Sequence, residues 1–253
     1  MGWHTALSVF LLLFAFAKSG AQAATANGDA TAVLQRMARQ SAEYRKTLPN
    51  FTCDENVVSI ARHKRKLQLR IEFRATIRVL RQPDGQLTEN SSITSYMGKP
   101  VPEAGRLVIP GYVQGGLARG VPSFFVAEKQ SCYRYSINGN RIDYAVQGGG
   151  PTCDEIPGTH GFALLDSAGD MLHGETHRPP IEARKHNFTS FSSVDYAPVV
   201  LNGKTYRLPS HLYAEIADDD WLRTFDAQYD SCKLFHATVT IDPASSKPIE
   251  DPK

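Results

Sequence analysis

Within Lys66–Arg81, apolar and polar residues alternate without a break from Lys66 to Val79. In an extended chain Leu67, Leu69, Ile71, Phe73, Ala75, Ile77 and Val79 face one way. Lys66, Gln68, Arg70, Glu72, Arg74, Thr76 and Arg78 face the other. At about 3.3 Å per residue this ribbon reaches roughly 50 Å, well beyond the usual strand. A strand that long, apolar on one side and wet on the other, belongs to a large curved antiparallel sheet with one solvated face. The fold class expected is therefore α+β, mainly β: a large curved antiparallel sheet that needs something to cover its apolar face.

One helix is available for that cover. Over Asn27–Leu48 the residues Val33, Leu34, Met37, Ala38, Ser41 and Tyr44 recur at three- and four-residue spacing, with charged and amide residues between them. Asn27 or Asp29 can cap its start, and Pro49 stops it. Acidic and basic residues are mixed on its polar face, as on a helix that packs against a sheet and not on a membrane surface.

Turn chemistry places the remaining strands. Pro83-Asp84-Gly85-Gln86 returns the long strand along Leu87–Met97. Asn138-Gly139 and Asn202-Gly203 are two-residue hairpin signals, and Asp166-Ser167-Ala168-Gly169 is a third turn. Val194–Leu201 pairs with Thr205–Ile216, and Phe225–Ile241 closes the sheet. Gly98–Gly120, rich in proline and glycine, reads as a long connection with a short helical piece before Phe124 and Phe125.

The compartment is set at the other end of the chain. Thr5 through Ala17 is an apolar run, and Ala21-Gln22-Ala23 offers the A-x-A pattern of signal-peptidase cleavage. Residues 1–23 are expected to be a signal peptide, residues 24–242 one domain, and residues 243–253 a loose tail holding three prolines. The apolar run falls short of the roughly 20 residues that span a bilayer, so no transmembrane segment is expected after cleavage. The mature protein belongs in the periplasm or outside the cell.

Four cysteines, Cys53, Cys132, Cys153 and Cys232, then read as two disulfides with three possible pairings. Cys132 with Cys153 would staple one hairpin and leave Cys53 with Cys232, the pairing favoured. The balance of 28 basic against 26 acidic residues gives no field for nucleic acid.

Particular stretches carry a resemblance. Tyr44-Arg45-Lys46-Thr47-Leu48-Pro49-Asn50-Phe51-Thr52-Cys53 runs from helix into strand. Val194-Asp195-Tyr196-Ala197-Pro198-Val199 precedes Gly203-Lys204-Thr205-Tyr206-Arg207-Leu208-Pro209. With the Asp166–Gly169 turn, these resemble a group of exported bacterial proteins with the fold of periplasmic lipoprotein carriers, the LolA/LolB-like half-barrel. The resemblance implies a helix-covered curved sheet and, as partner, a lipid or other apolar small molecule on its concave face. Tyr112, Phe124, Phe125, Leu69, Ile71 and Phe73 are the candidate cavity lining. The alternative partner is a protein of the cell envelope, with the chain acting as a scaffold.

Catalytic signatures are not found: there is no nucleophile elbow, phosphate loop, dinucleotide fingerprint or metalloprotease helix. No cofactor is expected. The one metal-like pattern is His173-Gly174-Glu175-Thr176-His177, whose two imidazoles and carboxylate share a strand face. A metal-dependent hydrolase centred on His173 and His177 is the enzymatic alternative to a non-catalytic binding or carrier protein. The ordinary reading is a solvated strand face, and the same holds for the basic stripe Lys66, Arg70, Arg74 and Arg78.

Overall fold

The computed structural model describes residues 22–101, 116–119, 125–148, 153–183 and 186–235. Helix α1 (Gln22–Thr47) leads into eleven strands. They are β1 (Phe51–His63), β2 (Lys66–Arg81), β3 (Leu87–Tyr96), β4 (Lys99–Pro100), β5 (Tyr133–Asn138), β6 (Arg141–Val146), β7 (His160–Leu165), β8 (Met171–Ala183), β9 (His186–Leu201), β10 (Lys204–Asp218) and β11 (Trp221–Leu234). A four-residue helix α2 (Gly116–Arg119) and a 3₁₀ turn (Ala127–Cys132) lie between β4 and β5. The strands form one open antiparallel sheet in the order β4-β3-β2-β1-β11-β10-β9-β8-β7-β6-β5. The expected fold class holds: a mainly β half-barrel beneath an N-terminal helix.

The long alternating strand is continuous, as its pattern requires. Ile71, Phe73, Ala75, Ile77 and Val79 are each exposed by 3% or less, whereas Glu72 and Arg74 stand in solvent. Leu69, expected in the cavity lining, is instead 42% exposed, and Leu67 is 59% exposed. Both lie beside the Lys64-Arg65 turn at the tip of the β1–β2 hairpin, where apolar periodicity outruns the covered part of the sheet.

Helix α1 buries Met37, Ser41 and Tyr44, and Leu48 just past its end continues the stripe at heptad-like spacing. Its C-terminal carbonyls are satisfied by the sheet. Arg81 Nη2 donates to the carbonyls of Arg45 at 2.8 Å and Leu48 at 2.7 Å, and the Tyr206 hydroxyl donates to Thr47 O at 2.8 Å. The helix thus seats two apolar clusters. Tyr44 and Leu48 join one with β1, β2, β10 and β11, and Met37 joins the other with Phe125, Tyr133, Ile142, Tyr144 and Met171.

The turns mostly follow their residues. Asn202 (φ 50°) and Gly203 (φ 74°) form the loop between β9 and β10, both left-handed as a type I′ hairpin demands. The β5–β6 loop is displaced by one residue from the Asn138-Gly139 expectation. Asn138 pairs with Arg141, so Gly139 (φ 61°) and Asn140 make the turn. A lone glycine with positive φ at the first loop position meets the type II′ requirement. The closing strand begins at Trp221, earlier than expected. The signal segment up to Ala21, the expected inward row Ala237, Val239 and Ile241, and the tail lie outside the described residues.

Disulfides join Cys53 to Cys232 and Cys132 to Cys153. The first ties β1 to β11 at the middle of the sheet. The second fastens the start of the β5–β6 hairpin to the segment that leads into β7.

Candidate functional site: a pocket under the helix and a charged ladder on the opposite face

The two clusters do not meet completely beneath α1. Between them lies a cavity of about 430 Å³ bounded by α1 and the ends of β8, β9 and β10. Its walls are Met37, Tyr44, Met171, Tyr196 and Tyr206, all buried. Tyr44 and Tyr206 meet edge to face, 6.2 Å between ring centroids. Their hydroxyls are directed to partners: Tyr44 donates to Leu117 O at 3.1 Å and Tyr206 to Thr47 O. Burial chiefly drives the Tyr44 and Tyr196 hydroxyls upward in pKa, with Tyr196, Glu89 and Tyr206 adding to the rise at Tyr44 and Tyr144 at Tyr196, so both are neutral ring surfaces. The volume lies within the range of small-molecule pockets, about 300–1,000 Å³.

The rim is polar and organised. Lys204 Nζ donates to Glu43 Oε1 and to Thr47 Oγ1, each at 2.9 Å. That ion pair is the main reason the Glu43 carboxyl sits below its usual value. Gln40 Nε2 donates to Asp170 Oδ1 at 2.9 Å, and Arg207 Nη2 donates to Asp166 Oδ2 at 2.5 Å. Asp166 also accepts the backbone N–H groups of Ala168 and Asp170 in its turn. Burial pushes its carboxyl up, but the Asp170 N–H, Arg207 and the Ala168 N–H outweigh that and hold it below the usual range.

The expected lining residues have divergent fates. Ile71, Phe73 and Phe125 are buried in packed core and line no wall of this pocket. Part of the concave groove is filled from inside by α2. Leu117 is fully buried, its N–H donates to Glu89 Oε2 at 2.9 Å, and its carbonyl takes the Tyr44 hydroxyl. Tyr112 and Phe124 lie outside the described residues. The residues that do form the pocket come from four separate stretches of sequence, and no pattern in the sequence marked Tyr44 as a pocket wall.

On the opposite face a ladder of alternating charge crosses four strands. His173 Nδ1 lies 2.6 Å from Asp195 Oδ1, and His211 Nδ1 lies 3.3 Å from Asp195 Oδ2. His211 Nε2 lies 2.8 Å from Asp226 Oδ1. A bulge at Ser210, between the Pro209–Tyr196 and His211–Asp195 pairs, sets His211 in this register. Desolvation pulls the His211 imidazole down, but Asp226 and Asp195 together raise it above its ordinary value. Asp195 is held low, burial being outweighed by the two histidines.

The expected metal-like trio is part of this ladder. His173 Nε2 and His177 Nε2 turn to the two oxygens of Glu175, at 3.3 and 3.6 Å. Both ring nitrogens of His173 are therefore engaged by carboxylates. Among the described residues, no group of three or more His, Cys, Asp or Glu side chains is placed to hold a metal ion. Paired cross-strand charges of this kind stabilise sheet register.

No family model matches the sequence, and no curated protein matches it. Solved structures show distant similarity. A LolA superfamily protein from Nitrosomonas europaea has a TM-score of 0.37 at 12% identity, over 81% of this chain and 94% of that one. A DUF1329 family protein from Desulfovibrio piger gives 0.35 at 8% identity, over 81% and 92%. A domain described as an outer membrane lipoprotein-sorting protein, from Vibrio parahaemolyticus, gives 0.31 at 9% identity, over 79% and 90%. Similarity at this level assigns neither ligand nor activity to this chain. Among the described residues, no helix is long and apolar enough to cross a membrane.

Proposed function

We propose that this is an exported, non-catalytic binding or carrier protein that holds an apolar ligand, a lipid or acyl chain, between α1 and the sheet. The observation that carries the reading is the pocket itself: a cavity of about 430 Å³ with buried walls of methionine and tyrosine and a polar rim. Apolar walls with a few convergent polar groups at the mouth are the ordinary form of a small-molecule site. Two disulfides with no free cysteine among the described residues support the oxidising compartment where such a carrier would work.

The test has two arms. Protein purified from its native compartment is extracted with organic solvent and the extract read by mass spectrometry, with an acyl species at near-unit stoichiometry expected. The same protein, delipidated, is titrated with a fluorescent acyl probe, alongside a variant whose cavity is filled by Met171→Trp. Saturable binding that the filled variant loses supports the reading. An empty extract together with equal probe signal in both proteins removes it.

A further inference from the structure

We infer that the pocket takes a single-chain amphiphile with one anionic headgroup, its tail beneath α1 and its headgroup at Lys204 and Arg39. This rests on the binding reading above and names the ligand class.

Volume decides the number of chains. At about 430 Å³ the pocket lies near the low end of small-molecule sites, about 300–1,000 Å³, which favours one acyl chain over the pair carried by a diacyl lipid. The walls decide the tail: rings and thioethers line the cavity, and the Tyr44 and Tyr206 hydroxyls are already spent on the Leu117 and Thr47 carbonyls. A sugar or polyol lodged there would lose its hydrogen bonds to water with little to replace them.

The mouth decides the headgroup. Lys204 carries three donor hydrogens, and Glu43 and Thr47 take two of them. Its ammonium also lies 5.4 Å from the Tyr206 ring centroid, at the edge of the wall. Arg39, one helical turn before Glu43, lines the same pocket and has no ion-pair partner among the described residues. The third hydrogen of Lys204 and the guanidinium of Arg39 are cationic donors left open where the chain of a bound amphiphile would end. Glu43 is paired with Lys204, and the Asp170 carboxylate is fixed by the Gln40 amide.

Delipidated protein is titrated with myristate, myristyl alcohol, a single-chain lysophosphatidylglycerol and a dimyristoyl phospholipid, by displacement of the acyl probe. Myristate is expected to bind about fivefold tighter than the alcohol, the scale of a half-exposed ion pair. Replacing both cations, Lys204→Met with Arg39→Met, brings the ratio of myristate to alcohol affinity down to about one, and Glu43→Gln widens that ratio. The dimyristoyl lipid competes weakly. If lysophosphatidylglycerol binds as tightly as myristate, either a phosphodiester or a carboxylate serves as the anionic headgroup; if it binds no tighter than the alcohol, a free carboxylate is the ligand. Equal binding of acid and alcohol to the unmodified protein overturns the headgroup assignment and leaves the pocket reading standing. Binding of neither overturns both.

Discussion

Replacing Glu55 by glutamine should raise stability at neutral and alkaline pH and leave it nearly unchanged near pH 4.5. Glu55 lies on the covered face of β1, between Ala75 and Tyr229, and only 1% of it is exposed. Tyr229 donates a hydrogen bond to its carboxyl, while Oε2 has no partner among the described groups. Burial is the leading cause that raises the carboxyl from 4.5 to about 7. The Tyr229 bond opposes the rise, and the charge of Glu89 adds to it. Below pH 4.5 the group is protonated folded and unfolded alike. Between 4.5 and about 7 the unfolded chain releases a proton that the folded one keeps, so stability falls as pH rises through that window. At about 1.4 kcal/mol per unit the loss is a little over 3 kcal/mol. Glutamine keeps the shape and cannot ionise, so the gap between variant and parent should widen by that amount between pH 4.5 and 8. For a domain of this size that is roughly 6–12 °C in melting temperature. Thermal and urea unfolding of both proteins with disulfides oxidised, at pH 4.5, 6 and 8, measures it. Subtracting one protein from the other cancels the histidines they share. Parallel stability curves, or a parent that gains on the variant as pH rises, would refute the reasoning, because Glu55 would then be charged and well paired.

Three further outcomes are expected. Gly203→Ala should cost about 1 kcal/mol through backbone strain alone, since φ is 74° and no atom lies within 4 Å of the added Cβ; an unchanged urea midpoint would contradict it. The Cys53→Ser/Cys232→Ser pair should destabilise more than Cys132→Ser/Cys153→Ser, about 5 against 3 kcal/mol in the chain-entropy account, because it closes a separation of 179 residues against 21. Equal midpoints in the two double variants would count against that ordering. The His211 imidazole should titrate above an unperturbed histidine by NMR, and Asp226→Asn should bring its midpoint down. A midpoint that ignores the substitution would separate the ring from its carboxylate.

What could be read beforehand was whatever depends on near neighbours in the chain. The alternation of Ile71 to Val79, the Asn202-Gly203 turn and the stripe of Met37, Ser41 and Tyr44 are local patterns, and each maps to a strand, a hairpin or a buried helix face. Periodicity says which face of a strand is apolar, but not how far the cover extends, which is why Leu69 misled. It also does not say what fills the space opposite: Ile71 and Phe73 share their cluster with Leu117 from the proline- and glycine-rich connection. The pocket joins Tyr44, Tyr196 and Tyr206 across long separations. The ladder through Asp195 depends on one extra residue at Ser210, and no period-two pattern announces such a bulge. Sequence spacing picked out His173, Glu175 and His177 as neighbours, while the partners that engage His173 and extend the ladder, Asp195 and His211, stand on other strands.

The placement of β1 beside β11 has a consequence for how the chain assembles. One flank of β1 is met by its chain neighbour β2, but the other waits for β11, 179 residues on by the Cys53–Cys232 bond. Until that seam closes, each of the two partial meanders would hold a raw margin of unpaired amides that invites stray strands. Pairing across so long a loop is slow, so folding should end with a late, cooperative zipping of the central seam. A chaperone that shields that margin would matter most in the interval before it.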